Sequence, residues 1–384
     1  MYNKVSPDRK KQRIMNTIQI SSRELYSKCD KLMRVINSKN ALPILDNFIF
    51  KVKGTDMTIS ASDTENYATA RLQLSDHSDS FEFGVNARTF VSALKEIPEQ
   101  PLTIKVSNSG CVIRYANGRF NLPIVDVTEY PGLPTLKEPQ SVKLSYSSLD
   151  KILSKAPSFA GQDELRPIMS GICFAYGDGK LEAAASDGHS LIRFTEKCEG
   201  SGEGLFVMST KTAKLAESFM GSEEENVTIS HTNSYSYIKF ESFELSSRLV
   251  EGKYPNYNAV IPNNYSDYIE FDRKELMSLA RRVGVFANSA SQLLRLELKG
   301  MELNIIGEDF DFSTKAQASM MVSKSGKDMN IGLKSTLILN NMNAFTAETL
   351  RMYYMDASRA VLFRPVDEED NSQVTIQMPM MLNE

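Results

Sequence analysis

The chain has only 3 histidines and 4 cysteines among its 384 residues, so little in it could hold a metal or form a disulfide. His77, His189 and His231 stand apart in sequence, which argues against a three-ligand metal site. Cys29, Cys111, Cys173 and Cys198 lack zinc or redox spacing and read as reduced thiols. No apolar run approaches the length of a membrane span. The opening residues MYNKVSPDRKKQRIM carry no apolar stretch of the kind that leads a chain to secretion. They read as a basic, disordered extension over residues 1–14, with Met15 the attractive start of the folded chain and the cytoplasm as the expected location. No phosphate-cradling glycine loop occurs, neither a Walker-type loop nor Gly-x-Gly-x-x-Gly after a strand. Gly200-Ser-Gly-Glu-Gly204 opens no helix and reads as a flexible connection. No cofactor is expected.

What is present is repetition. A unit of about 125 residues occurs three times, the mark of an array of like structural units. Amphipathic helices with polar starts open near Ser22, Ser147 and Asp272, and a second set opens near Asn86, Ser209 and Leu333. In 21–36 Ser22 is a suitable N-cap, and the positions Leu25, Cys29, Leu32 and Ile36 make one apolar stripe, with Lys28, Lys31 and Arg34 on another side. In 272–282 Asp272 is the cap, Leu276, Leu279 and Val283 form the stripe, and Arg273, Arg281 and Arg282 are left for the outside. Between helices the period falls to two, as in Phe48–Val52, Met57–Ser60, Gly171–Ala175 and Leu296–Leu298, with turn signals at Lys53-Gly54, Gly177-Asp178-Gly179 and Lys299-Gly300. Each repeat therefore reads as two helices packed on antiparallel sheet, a two-layer α+β unit. Pro-rich stretches at 130–139 and 261–266 place the domains at 15–138, 139–264 and 265–384.

The net charge is −4, which taken alone disfavours nucleic acid. Its distribution does the opposite. The windows 21–36, 86–96, 146–156, 209–219, 272–282 and 333–346 carry +2, +1, +1, +1, +2 and +1, together +8, and leave −12 for the rest of the chain. Six positive helices on an acidic body create a local field that the total conceals. The acidic runs Glu223–Glu225 and Asp367–Asp370 are expected away from phosphates.

Ser186, Asp187 and His189 lie close together in Ala185-Ser-Asp-Gly-His189, but the equivalent Ala61-Ser-Asp-Thr-Glu65 has no histidine. Turn chemistry explains both copies better than a hydrolase triad does. The tail Ile376-Gln-Met-Pro-Met-Met-Leu382 is apolar and rich in methionine, suited to a last strand or to an adaptable groove wall, and its proline favours partial exposure.

Four stretches in order, Ala41–Asn47, Ala185–Leu191, Leu249–Tyr257 and Met378–Met380, make residues 15–384 resemble the β subunit of bacterial DNA polymerase III, the sliding clamps. The resemblance implies three clamp domains per chain and a head-to-tail homodimeric ring, with twelve helices lining a hole for duplex DNA. It implies no catalysis. It further implies tethering of the replicative polymerase and of repair proteins that share a clamp motif, and opening of the ring by an ATP-driven clamp loader. DNA contacts would come from Lys28, Lys31, Arg34, Lys39, Arg88, Lys151, Lys155, Lys211, Lys214, Arg273, Arg281, Arg282 and Lys334. Carried over position by position, Phe120 and Leu122 would meet Val285 and Phe286 of the second copy. The partner-peptide groove would comprise Met169, Gly188, His189, Leu191, Pro255, Val260, Ile376, Met378, Pro379, Met380 and Leu382. Ser190, Ala259 and Met381 stand where the family commonly has basic residues, so a less positive, more apolar groove is expected. The rival reading is a non-catalytic repeat scaffold that binds protein partners and encircles no DNA.

Overall fold

The computed structural model describes residues 16–134, 136–163, 165–200, 202–221, 226–262, 264–367 and 372–382, and only the backbone of 77 and 78. The expected extension 1–14 and the acidic run 223–225 lie outside the described residues, as does most of the run 367–370. Contacts divide the chain into two compact units. The first runs to Lys137 and takes in Tyr235–Arg248; the second begins at Glu138 and holds most of the remainder.

The repeat is visible as a strand that feeds directly into a helix. Asn16–Ser21 leads to α1 (Ser22–Met33), Gln140–Ser145 to α3 (Tyr146–Lys155) and Asp267–Asp272 to α5 (Arg273–Gly284). The second set is α2 (Ala87–Lys95), α4 (Thr210–Phe219) and α6 (Ser335–Ala344), each also entered from a strand. Extended backbone up to the cap residue is what lets one side chain reach forward to the helix's unpaired amides. Asn86, Asp272, Ser145 and Ser209 do this, accepting from the N–H of Thr89, Glu275, Ser148 and Thr212. Three expected starts shift. Ser145 rather than Ser147 caps α3, and Lys334 rather than Leu333 precedes α6. Ser22 is the first residue of α1, and its hydroxyl donates to the Pro98 carbonyl instead of capping. The apolar stripe of α1 is buried as expected at Leu25, Cys29 and Leu32. The turn after it buries Val35 and Ile36 as well.

In the first unit, Asn16–Ser21, Pro101–Ser107, Gly110–Tyr115 and Gly118–Leu122 form a four-stranded antiparallel sheet in that order, so Gly118–Leu122 is an edge. A long hairpin, Asn47–Ser62 with Asn66–Asn86, packs Phe50 on Phe83 with ring centroids 4.8 Å apart. Its tip is the Ala61–Glu65 motif: Asp63 accepts from the amides of Glu65 and Asn66.

In the second unit one nine-stranded sheet carries strands of both the second and the third repeat. The seam is Ser190–Lys197 against Gln373–Gln377, with Leu191 opposite Ile376. This shared sheet is why contacts group the expected domains 139–264 and 265–384 together. A four-stranded sheet follows, in the order Thr314–Met321, Glu302–Asp309, Leu293–Lys299, Met329–Lys334. No helix among the described residues is long and apolar enough to cross a membrane.

Candidate partner groove and nucleic-acid face

At the seam between repeats the nine-stranded sheet carries a cavity of about 250 Å³. Strand alternation sends Leu191 and Ile376 to the same face as direct cross-strand partners, and both are buried as its floor. Met169 comes from the short turn Pro167–Ser170, and Pro255 and Val260 from the loop that closes the second repeat. Met378 leaves the last strand at the rim, 39% exposed, where Val260 is 50% exposed. Gly188 and His189 complete the wall from the turn between Lys180–Ser186 and Ser190–Lys197.

That turn is held by hydrogen bonds and contains no triad. Asp187 Oδ1 accepts from the backbone N–H of His189 at 2.8 Å and of Ser190 at 2.6 Å. Ser186 Oγ donates to the Ser190 carbonyl and accepts from the Gly188 N–H. Gly188 sits at φ +89°, where a side chain is strained, and a Cβ there would lie 3.5 Å from the Arg166 guanidinium. The His189 carbonyl accepts the Met378 N–H at 2.8 Å, so the turn also fixes the start of the tail.

Eight of the expected groove residues thus meet at one cavity: Met169, Gly188, His189, Leu191, Pro255, Val260, Ile376 and Met378. Pro379, Met380 and Leu382 do not line it. The Met380 N–H donates to the Gly332 carbonyl at 2.8 Å, which turns the tail toward the strand Met329–Lys334. Leu382 then lines a separate cavity of about 290 Å³ with Leu293, Ile306 and Phe310. Residue spacing cannot reveal this divergence, because it depends on a backbone bridge to a strand some fifty positions earlier.

Sequence reasoning missed Arg166, Tyr254, Asn256 and Tyr257 in the wall. Tyr257 donates its hydroxyl to Glu182 at 2.9 Å; burial foremost, then that bond, pushes the phenol well above its ordinary range. Arg166 adds a guanidinium to the wall, paired with Asp163 at 3.1 Å. Ser190 is buried beside Asp187, whereas Ala259 and Met381 are exposed. The Tyr-Pro-Asn-Tyr run at 254–257 was the available signal for the missed aromatics.

The basic residues fall into two groups. Arg34, Lys39, Lys214, Arg281 and Arg282 are exposed, and Lys155, Lys211 and Lys334 half-buried. Others hold the fold. Arg273 does not point outward: its guanidinium donates to the Met342 carbonyl in the last turn of α6 at 3.2 Å and to the Ala347 carbonyl just beyond the helix at 2.8 Å. Lys151 pairs with Glu196 at 3.5 Å, and exposed Arg88 donates to the Asn37 carbonyl. Lys28 and Lys31 rest over the Phe243 ring, 4.8 and 5.3 Å from its centroid. Burial lowers the pKa of Lys28, against the opposing pull of Glu24 and Glu241. Burial likewise lowers that of Lys31, with help from the charges of Lys28 and Arg34. Among the described residues no group of three or more His, Cys, Asp or Glu side chains could hold a metal ion.

Three strand–helix repeats of this kind occur in solved structures of sliding clamps. A clamp from Pseudomonas aeruginosa, the DNA polymerase III subunit beta bound to griselimycin, superposes with a TM-score of 0.91 at 20% identity, covering 96% of this chain and 100% of that one. The beta subunit from Thermotoga maritima gives 0.87 at 22% identity, covering 96% and 100%. The fold is therefore that of the sliding clamps.

Three family models cover nearly the whole chain. The N-terminal domain of the DNA polymerase III beta subunit matches residues 16–134, its central domain 143–256 and its C-terminal domain 258–380. The chain belongs to the DNA polymerase III beta subunit family, whose members are the non-catalytic processivity subunits of a replicative DNA polymerase. Relatives named beta sliding clamp include that of Pseudomonas putida KT2440, 23% identical over 351 residues, covering 91% of this chain and 95% of the relative. That of Rickettsia bellii is 24% identical over 362 residues, covering 90% and 94%.

Proposed function

We propose that two copies of this chain close head to tail into a ring that duplex DNA threads, and that the groove at the seam tethers the replicative polymerase. The observation that carries the ring is a pair of open sheet edges, one bearing half-buried Phe120 and Leu122 and the other lying beside exposed Val285 and Phe286. Strand Gly118–Leu122 is one edge and presents Phe120 and Leu122 on one face, by the alternation of strand side chains. Strand Thr314–Met321 is the edge of another sheet, with Val285 78% and Phe286 42% exposed near its start. Open edges left bare invite pairing, and a head-to-tail contact that closes uses both of these.

The exposed basic residues Arg34, Lys39, Lys214, Arg281 and Arg282, with half-buried Lys155, Lys211 and Lys334, would meet phosphates. Such contacts hold DNA without reading it, so the ring slides. In this reading Lys28, Lys31, Arg88 and Lys151 contribute field rather than direct contact, and Arg273 is structural. A peptide with apolar anchors fits the groove over Leu191 and Ile376, with Arg166 available to an acidic flank. Partners of this chemistry are the polymerase catalytic subunit, clamp-motif repair proteins and an ATP-driven loader that opens the ring. Tethering turns each polymerase dissociation into a rapid intramolecular recapture. We place the three domains at 15–138, 139–264 and 265–384, and the working location in the cytoplasm.

Molar mass in solution tests the ring. Sedimentation equilibrium at micromolar concentration should give twice the mass of the 43.0 kDa chain. A stable single chain leaves the hole unclosed and rejects the proposal. DNA affinity separates the clamp from a scaffold with merely solvated helices. The clamp's binding should weaken steeply with salt, and a scaffold should show no such binding.

A further inference from the structure

The turn between strands Glu302–Asp309 and Thr314–Met321 presents two phenylalanines to solvent, Phe310 at 77% and Phe312 at 79% exposure. Isolated exposed apolar residues are ordinary, but the turn that carries these two is hydrogen-bonded to the segment that carries exposed Val285 and Phe286. The link is direct: Thr314 Oγ1 donates to the Phe286 carbonyl at 3.3 Å.

The turn is also rigidly built. Asp309 is buried, and its Oδ1 accepts from the amides of Asp311 at 2.9 Å and Phe312 at 3.3 Å. Its Oδ2 accepts from Asn288 Nδ2 at 3.2 Å, which ties the turn to the segment that carries Val285 and Phe286. A buried carboxylate used in this way orders the backbone that carries both rings before any partner arrives, and such prior ordering lowers the entropic cost of contact. Large aromatics at the centre of a patch are the side chains that anchor interfaces.

We propose that Phe310 and Phe312 are anchors of the joint between two copies of this chain, seated beside the Gly118–Leu122 edge of the second copy and positioned by Asp309. The inference rests on the head-to-tail reading and adds the residues that make its joint apolar. The occupant is argued from three features. The rings flank the start of the open edge Thr314–Met321, which an antiparallel strand could extend. The facing edge offers matching aromatic surface, with Phe120 packed on Tyr115 at 5.1 Å between centroids. The charges are also opposite: exposed Asp311 lies between the two phenylalanines, while exposed Arg119 and Arg114 stand beside Phe120, and Lys315 is already paired with Glu308 at 3.1 Å. A joint anchored in this way stays closed at ionic strengths that strip phosphate contacts.

The test measures self-association of the full chain by analytical ultracentrifugation across a concentration series, for the wild type, the double variant Phe310→Ser/Phe312→Ser, Asp309→Ala and Phe120→Ala. Both phenylalanines are exposed, so the double variant should melt within a few degrees of the wild type. Its dimer dissociation constant should rise at least about tenfold, and Asp309→Ala should move it in the same direction. Raising salt to about 1 M should change the wild-type constant less than threefold. If the double variant dimerises like the wild type while Phe120→Ala weakens the dimer, the ring stands and this proposal falls. If the wild type is monomeric throughout, the head-to-tail reading itself fails and takes the proposal with it.

Discussion

Single residues decide more here than their sequence neighbourhood suggests. His231 is buried, with Tyr176 Oη 3.0 Å from its Nε2, and its ring packs against Phe206 at 4.5 Å between centroids. Burial lowers its pKa from the ordinary 6.5, only partly opposed by a hydrogen bond to the Thr232 backbone. The folded state therefore refuses a proton that the unfolded chain accepts. The associated stability is full above pH 6.5 and is lost as pH falls from there through the lower folded value. Urea midpoints between pH 7.5 and 5 should decline for the wild type and decline less for His231→Gln. Arg273 and Arg282 offer a second contrast. Arg273→Ala should destabilise the chain by about 1.5–3 kcal/mol, the usual worth of hydrogen bonds from a charged donor. Arg282→Ala should leave the melt unchanged, weaken DNA binding and lower its salt slope by about one. Nothing in the sequence separates these two arginines. Both lie off the apolar stripe, and only the approach of the α6 carbonyls assigns one of them to the fold.

Helices and strands were legible where periodicity was strong. The stripe Leu25, Cys29, Leu32 and the caps Asn86, Ser209 and Asp272 stand where pattern and polar starts put them. The caps of α1, α3 and α6 were off by one or two residues, because Ser-rich and extended approaches offer several candidates and the strand's last bond chooses among them. The tail was the least legible element. Its strand Gln373–Gln377 is wholly buried despite two glutamines. Gln373 donates to the Ala344 carbonyl at the C-terminal end of α6, while Gln377 accepts from Asn341 and donates to the Lys334 carbonyl, so both buried amides are satisfied against α6 and its approach. Beyond it the tail depends on Gly332, where a Cβ would meet the Met380 carbonyl oxygen at 2.6 Å and Leu382 at 2.9 Å. Gly332→Ala should free the tail and weaken binding of an apolar-anchored partner peptide about tenfold, or about 1.4 kcal/mol. Fluorescence anisotropy with a labelled peptide checks this. Unchanged affinity would mean that the groove functions without its last wall.

At the scale of the molecule, repetition foretold three units of helices on antiparallel sheet, but not how the second and third repeats are joined. A nine-stranded sheet built from both repeats needs pairing between Ser190–Lys197 and Gln373–Gln377, nearly two hundred residues apart, and no local pattern encodes such a pairing. The groove exists because of that seam: its floor residues Leu191 and Ile376 belong to different repeats. Sequence spacing could place each residue in its strand but not the two side by side. The charge partition likewise described a field and left the individual contacts open, since Lys28 and Lys31 lie on Phe243 and Lys151 on Glu196. Encirclement makes the tightness of DNA holding topological, so it should be indifferent to the strength of any one contact. The direct measurement is the retention time of loaded protein on a nicked circular duplex, followed by cutting the same circle once. The account predicts long retention on the intact circle and rapid loss after the cut, at a salt concentration too high for open binding. Equal loss from the cut and intact molecules would contradict it.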